Sequence, residues 1–426
     1  MQCHTPFLTI LLCFLFVYEV FASSHDKIHK VHKLNGKIAS FSSQNRIAAI
    51  AETNPVTAAR LVLNIPGLNS SSGTWFLHNE KGISDSDKQV PWAQNVTYHN
   101  NPKIHGNFIT GYKDFPREFG RFKLVHMEIK RNKHGAAKIP TYVKHPKDKN
   151  GVTKGIIVFP SLVRDSWRFA NIMGNAQEIA KHETGMDAGE ENVAIMSPVF
   201  LTPEDSNIGK EDLYFNRKGW SVAGINHGPK HIKGISSFDA VDHIVSRLLD
   251  RKEYPNLRDL VVVGFSMGGQ AALRYAMFKK VNDERMRFWI GSPGKYTYLS
   301  TRRPADTSDC EDYDKWPFGI NAHHTLPRYV RSSVNSKGRE GLISDFRGLE
   351  VHYYYGMNDN GGQSDKCTHN VQGRNRLQRG ANWIIGLSQH DDGFPATHKT
   401  SYIGGTAHDP YPVIANPASY KYIFRE

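Results

Sequence analysis

Short apolar runs of strand length alternate with amphipathic helical stretches from residue 121 onward, and this alternation constrains the fold more than any other feature. The runs are continuously apolar, which is typical of strands buried on both faces of a sheet. The clearest three are Gly155–Phe159, Val193–Met196 and Leu260–Val263. Apolar residues at helical spacing lie between them, in Phe169–Ala180 and Phe238–Leu249. The pattern predicts an α/β fold with a mostly parallel central sheet and helices on both faces.

Strand patterns flank this region on both sides. The further predicted strands are Val125–Ile129 and Ile139–Val143, which form an antiparallel hairpin, then Phe288–Ile290, Leu349–Tyr355 and Tyr402–Ile403. Between about residues 295 and 347 the chain is polar and has no comparable strand, which predicts a cap insertion over the end of the sheet. We expect the main domain to span residues 121–426, with residues 23–120 as an N-terminal extension packed on it.

The strand at Leu260–Val263 leads into the pentapeptide Gly264–Gly268, with the sequence Gly-Phe-Ser-Met-Gly, and a predicted helix follows from Gln270 to about Lys280. Gly-x-Ser-x-Gly alone recurs by chance, and a structural serine in a strand-to-helix turn is the alternative. Between a strand and a helix, however, the motif is typical of a strained turn that lifts a serine hydroxyl clear of the sheet. The context predicts an α/β-hydrolase fold with Ser266 as nucleophile.

A serine hydroxyl becomes a strong nucleophile only when a base accepts its proton, and an acid must orient that base. In this fold the chain order is serine, acid, histidine. Asp359 follows a predicted strand and His408 follows the last one, where loops that carry catalytic groups belong. We predict Asp359 as the acid and His408 as the base. The competing side chains in this part of the sequence are His390, His398, Asp365 and Asp409.

Acyl transfer also requires N–H donors for the oxygen on which negative charge develops. The first predicted donor is the backbone N–H of Met267, the residue after the nucleophile. The second comes from the loop after Gly155–Phe159, which indicates Ser161 or Leu162.

Several segments point to a family. They are Ser236–Asp242, Tyr254–Leu257, Gly264–Gln270, Arg274–Ala276, Tyr296–Leu299, Trp316–Gly319, Gln372–Arg376 and Arg379–Gly380. Through them the chain resembles a group of largely uncharacterised secreted α/β hydrolases, mostly microbial and fungal. In that group the nucleophile elbow, the turn that carries the serine, has the sequence Gly-His-Ser-Ala-Gly-Gly-Gln. The resemblance covers roughly residues 150–410 and implies a hydrolase fold and a triad, without a substrate. This chain has Phe265 and Met267 where the group usually has His and Ala, and Ser292-Pro293-Gly294 where it tends to have Asn-Pro-Ser.

The beginning of the chain predicts export. Met1–Ala22 holds the apolar stretch Phe7–Val17 followed by small residues, which is typical of a cleaved signal peptide. An uncleaved membrane anchor is the alternative, but the stretch is shorter than the roughly 20 residues that a span needs. Glycosylation sequons at Asn69 and Asn95 fit the same compartment. We therefore expect a secreted, extracellular glycoprotein.

Cysteine usage agrees with export. Of the four cysteines, Cys3 and Cys13 leave with the signal peptide, so the mature chain keeps Cys310 and Cys367. In an oxidising compartment this pair can form one disulfide, which would tie the predicted cap to the loop holding Asp359. Two unpaired thiols are the alternative.

The chain is basic, with a formal net charge of +13. Removal of Glu19 with the signal peptide gives +14, from 54 cationic and 40 anionic residues. This charge favours weak attachment to anionic surfaces. We expect no nucleic-acid partner, because no groove-reading helix or stacking platform accompanies the charge. No matching cluster of Cys, Asp or Glu completes a coordination set with the histidines of His25–Lys33, so neither a metal nor another cofactor is predicted.

Together these features predict a secreted serine hydrolase that cleaves an ester of a small molecule, a lipid or a polymer through Ser266, His408 and Asp359. Two alternatives remain at the level of sequence. One is a serine peptidase with the same triad. The other is an inactive secreted binding protein attached to anionic surfaces.

Overall fold

The computed structural model describes residues 41–65 and 88–426, and strands of this part of the chain build its core. The strands are β1 (Gly106–Asn107), β2 (Gly111–Tyr112), β3 (Glu118–Phe119), β4 (Phe122–Asn132), β5 (Gly135–Lys144), β6 (Lys154–Phe159), β7 (Val193–Pro198), β8 (Asp259–Phe265), β9 (Met286–Gly291), β10 (Glu350–Gly356) and β11 (His398–Ile403). The first two form a small antiparallel pair of their own. The other nine form one sheet.

In the large sheet the strands lie in the order β11-β10-β9-β8-β6-β7-β5-β4-β3. The strands from β6 to β11 pair in parallel, whereas β3, β4 and β5 add an antiparallel end. The predicted mostly parallel sheet is confirmed, and the predicted hairpin is the β4–β5 pair. Because β8 lies between β6 and β9, the residues that follow it emerge near the middle of the carboxyl edge of the sheet.

Helices cover both faces of this sheet. They are α1 (Phe41–Thr53), α2 (Pro55–Leu63), α3 (Ser166–Ala180), α4 (Ser237–Leu249), α5 (Met267–Phe278), α6 (Arg328–Gly348), α7 (Cys367–Asn370), α8 (Arg376–Leu387), α9 (Pro410–Ile414) and α10 (Pro417–Phe424). One face packs against α4, α5, α6 and α8, and α1 and α2 contribute to the same core. The other face packs against α3, α9 and α10. Within residues 41–65 and 88–426, no helix is both long and apolar enough to cross a bilayer.

The central strand β8 shows how the two cores form. Val262 packs into the core on one face, and Val261 and Val263 pack into the core on the other. This alternation follows from the two-residue period of a strand. All three side chains are completely buried, and each such burial stabilises the fold by about 1.5–3 kcal/mol. A strand with both faces buried holds the turn that follows it in a fixed position.

The structure differs from the sequence predictions for several helices in the second half of the chain. The helix after Ser266 begins at Met267 instead of Gln270. Helix α6 occupies the second half of the segment predicted as a cap insertion, and it packs on α5. The terminal helices α9 and α10 were not predicted, although Asp409 and Asn416 cap them and a proline follows each cap.

The N-terminal segment and the cysteines are placed as follows. Helix α1 packs on β11 and α2 packs on α8. Cys310 and Cys367 form the predicted disulfide, with their Cα atoms 5.6 Å apart. Asn95 is exposed, whereas the predicted signal peptide and Asn69 lie outside the described residues. The domain boundaries and the glycosylation stay predictions.

Candidate active site

Ser266 occupies the turn between β8 and α5 in a strained backbone conformation. Its φ is 59° and its ψ is −118°, a region that residues other than glycine rarely adopt. The Ser266 N–H donates to the carbonyl oxygen of Gly291, at the end of β9, at 2.9 Å. The residue is only half-buried. The turn therefore holds the hydroxyl at the carboxyl edge of the sheet, where a substrate can reach it.

Two glycines make this turn possible through close approach of backbone atoms. A Cβ atom on Gly264 would lie 2.1 Å from the carbonyl oxygen of Gly268. A Cβ atom on Gly268 would lie 2.5 Å from the carbonyl oxygen of Pro160, in the loop after β6. Any side chain at either position would force the backbone apart. The two glycines thus bring the loop after β6 directly against the serine turn.

Three side chains from separate loops meet in a hydrogen-bonded row. The Ser266 hydroxyl donates to His408 Nε2 at 2.8 Å. The His408 Nδ1–H donates to Asp359 Oδ2 at 2.7 Å. Asp359 follows β10 and His408 follows β11. The structure brings together the three residues that the sequence analysis selected separately, in the arrangement of nucleophile, base and orienting acid.

The charges of this row suit proton transfer from the serine. Burial alone would raise the pKa of the Asp359 carboxyl, but His408 and Arg376 hold it at about 2. The ionised carboxylate can only accept a hydrogen bond, so the imidazole proton resides on Nδ1 and Nε2 is free to accept. Burial lowers the pKa of His408 below its usual value, against the opposing effect of Asp359. The imidazole is therefore neutral near pH 7 and can act as a base.

Arg376 contacts the other oxygen of the acid. Its Nε–H donates to Asp359 Oδ1 at 2.7 Å, and its backbone N–H donates to the carbonyl oxygen of Gly361 at 2.9 Å. The first residue of α8 thus fixes the loop that carries Asp359. Arg376 lies in the segment Gln372–Arg376 that resembles the related hydrolases, but the sequence alone predicts no role for it.

Gln44 of helix α1 links the loops that carry the acid and the histidine. Its Nε2–H donates to Asn358 Oδ1 at 2.9 Å, and its Oε1 accepts from the N–H of Gly405 at 2.7 Å. Asn358 directly precedes Asp359, and Gly405 is three residues before His408. Gln44 is 3% exposed. No sequence pattern predicts a role for this residue.

The predicted oxyanion donors differ in whether their N–H groups already form a hydrogen bond. Met267 is the first residue of α5, so its N–H has no partner within the helix. The Ser161 N–H donates to Asp165 Oδ1 at 3.0 Å, so it is not available to a substrate and the prediction for Ser161 is corrected. The N–H of Leu162 forms no hydrogen bond within the described residues, and Leu162 is exposed. Met267 and Leu162 remain the candidate oxyanion donors.

The competing side chains lie elsewhere. His398 is buried in β11 and contacts a tyrosine hydroxyl and a backbone carbonyl of the core. His390 is bonded to an exposed aspartate. Asp409 caps α9, and Asp365 is exposed. Among the described residues, no group of three or more His, Cys, Asp or Glu side chains is placed to hold a metal ion.

The architecture is that of an α/β-hydrolase fold. Read from β4, the strands of the sheet follow the order β4-β5-β7-β6-β8-β9-β10-β11. The serine turn joins β8 to α5 at the carboxyl edge, and the acid and the histidine follow in the chain order of this fold.

Comparison with known proteins adds little beyond the fold. No protein-family model and no curated protein sequence matches the chain. Similar solved structures include poly(aspartic acid) hydrolase-1 from Sphingomonas sp. KT-1, with TM-score 0.46 and 16% identity over 67% of this chain and 93% of that one. A poly(3-hydroxybutyrate) depolymerase from Bordetella parapertussis has TM-score 0.46 and 12% identity over 71% and 89%. A siderophore hydrolase from Aspergillus nidulans, EstB, has TM-score 0.38 and 13% identity over 73% and 97%. Likenesses this distant decide neither the activity nor the substrate.

Proposed function

We propose that the protein is a secreted serine hydrolase that transfers the acyl group of an ester to water. The observation that carries this proposal is the continuous row from the Ser266 hydroxyl through His408 to Asp359, with hydrogen bonds of 2.8 and 2.7 Å. A row of this kind converts an alcohol into a nucleophile, because the base that accepts its proton is already oriented.

In the first half of the reaction Ser266 Oγ attacks the acyl carbon while His408 Nε2 takes its proton. The imidazolium that forms lies against the Asp359 carboxylate, which Arg376 keeps ionised. The N–H groups of Met267 and Leu162 are assigned to the oxygen of the tetrahedral intermediate. The imidazolium then returns its proton to the departing alcohol, and an acyl-enzyme remains.

In the second half a water molecule replaces the alcohol. His408 deprotonates the water, which attacks the acyl carbon, and the proton then returns to Ser266 as the acid product leaves. The substrate class is an ester of a small molecule, a lipid or a polymer. The half-exposed serine and the acid held in its charged form support turnover over an inactive binding role.

A panel of p-nitrophenyl esters of different chain length, run beside aminoacyl p-nitroanilides, tests this proposal. We expect ester turnover that Ser266→Ala abolishes and that Ser246→Ala, at an exposed position on α4, leaves intact. Anilides turned over faster than esters would assign a peptidase instead. Ester turnover that survives in Ser266→Ala would refute the mechanism.

Secretion is the part of the proposal that rests on the beginning of the sequence and on the cysteine pair. The signal peptide pattern at Met1–Ala22 supports it, and a disulfide between Cys310 and Cys367 is typical of proteins of oxidising compartments. Expression of the full chain with collection of the culture medium tests it, since the mature chain is expected outside the cells.

A further inference from the structure

A half-buried lysine in the segment after β9 has no counterion among the residues that the structure describes. Lys295 follows β9 by four residues and is half-buried. Within the described residues its Nζ forms neither a hydrogen bond nor an ion pair, and it lies 5.7 Å from the centroid of the Phe318 ring. A partly desolvated ammonium group without a negative partner is unfavourable.

A second unpartnered group lies against the same aromatic ring. The His369 ring packs edge-on against Phe318 with centroids 5.8 Å apart. His369 is 9% exposed, and its buried Nε2 has no hydrogen-bond partner in the described structure. Phe318 therefore lies beside both Lys295 and His369.

The backbone positions of the two groups are also fixed relative to one another. The buried Gln372 side chain accepts from the N–H of Tyr296 at 2.9 Å and donates to its carbonyl oxygen at 3.1 Å. The Gln372 N–H donates to the carbonyl oxygen of His369 at 3.1 Å. One side chain thus ties the residue after Lys295 to helix α7.

The surroundings of this pair are strongly positive. Burial, together with neighbouring cations, lowers the pKa of Lys295 to about 8 and that of His369 to about 3. The cations that act on Lys295 are Arg274, Lys218, Arg379 and Lys366. The two arginines bond to neutral oxygens, such as the Thr297 hydroxyl for Arg274 and the Gly373 carbonyl for Arg379, so these contacts bring no negative charge.

This positive cluster and the candidate active site both lie in segments that follow the parallel strands β8 to β11. Lys295 follows Gly291, whose carbonyl oxygen accepts from the Ser266 N–H, and His369 lies in the connection after β10 that also carries Asp359. Arg379 donates to the carbonyl oxygen of Gly294, the residue before Lys295, at 2.5 Å. Because loops that follow parallel strands gather at one edge of a sheet, the cluster and the serine share that edge.

We propose that Lys295 and His369 form an anion subsite beside Ser266, and that the esters cleaved by this protein carry a carboxylate a few atoms from the scissile bond. This inference rests on the proposed function, since it names the substrate class of the same site. A substrate carboxylate supplies the missing countercharge to Lys295, and neutral His369 can donate Nε2–H to it. The remaining cations attract the anion over a longer range.

A matched pair of substrates tests the subsite. Mono-4-nitrophenyl adipate carries a free carboxylate, whereas methyl 4-nitrophenyl adipate is its neutral counterpart. We expect the wild type to prefer the acidic ester in kcat/KM by about tenfold or more, as for a hydrogen-bonded charge. In Lys295→Gln the ratio should fall by several-fold, since only the weaker attraction of His369 and the remaining cations is left. Lys252→Gln, at an exposed position between α4 and β8 at the opposite edge of the sheet, should keep the wild-type ratio.

A binding measurement separates failure of the subsite from failure of the proposed chemistry. Ser266→Ala is titrated with monomethyl adipate and with dimethyl adipate by calorimetry. Tighter binding of the acid, lost in the double variant with Lys295→Gln, supports the subsite even if no ester is turned over. Equal turnover of both p-nitrophenyl esters by the wild type, with equal binding of monomethyl adipate and dimethyl adipate, would overturn the subsite and leave the hydrolase intact.

Discussion

Replacing Arg376 by methionine should destabilise the fold and shift the acid limb of the pH dependence of kcat/KM. The substitution keeps a chain of comparable volume and removes the guanidinium that bonds Asp359 Oδ1 at 2.7 Å. The two side chains are 12% and 1% exposed, so water has little access to replace the lost charge. The Asp359 carboxylate would then depend on His408 alone.

The size of the effect follows from the pKa of Asp359. Its value of about 2, against 3.8 for the free side chain, corresponds to about 2.4 kcal/mol in favour of the carboxylate. Burial opposes this shift, so His408 and Arg376 together contribute at least that amount. We expect Arg376→Met to lower the free energy of unfolding by about 2 kcal/mol at pH 7. Because the folded pKa is the lower one, this stabilisation exists above about pH 4 and disappears as the pH falls towards 2.

The same substitution should move the pH dependence of catalysis. Arg376 lowers the pKa of His408, so its removal raises that pKa and shifts the acid limb of kcat/KM to higher pH. Hydrolysis of p-nitrophenyl butyrate between pH 5 and 9 measures the shift, and urea unfolding at pH 7 and pH 3 measures the stability. Arg376→Lys keeps the charge, so its loss of stability and its shift of the acid limb should both be smaller than those of Arg376→Met. An unchanged acid limb together with unchanged stability would refute this account of Arg376.

Three further predictions concern residues outside the hydrogen-bonded row of Ser266, His408 and Asp359. Gln44→Ala should reduce kcat about fivefold to tenfold with little change in KM, since it frees two loops, whereas Arg46→Ala on the same helix should have no effect. Paired Cys310→Ser and Cys367→Ser substitutions should lower the free energy of unfolding by up to about 4 kcal/mol for a closed loop of 57 residues, measured in urea; no loss would contradict it. Gly264→Ala should destabilise by about 3 kcal/mol or more, because its Cβ would lie 2.1 Å from a backbone oxygen, and a Tm like that of the wild type would contradict it.

The sheet and the row of three side chains were predictable because their signals are local or depend only on chain order. The apolar run of β8 is continuous, and the Gly264–Gly268 motif with its serine follows it directly. Asp359 and His408 could be selected because residues after parallel strands share an edge. The structure confirms the sheet and brings the three residues together.

Other features depend on contacts that a sequence does not display. Gln44 and Asn358 are 314 residues apart in the chain, so their contact has no local pattern. Helix α6 escaped prediction because it is polar and Gly338 interrupts it with φ 63°. The loss of Ser161 as a donor depends on where the Asp165 side chain points, which only three-dimensional packing decides.

Covalent labelling with a fluorophosphonate tests the central claim most directly, because the probe reacts with a serine only when a base activates it. Peptide mass spectrometry of the labelled wild type should place the adduct on Ser266. Ser266→Ala should remain unlabelled, and His408→Ala should react more slowly by about 100-fold or more. A folded wild-type protein that takes up no label, or takes it up at another serine, would contradict the assignment of Ser266 as the nucleophile.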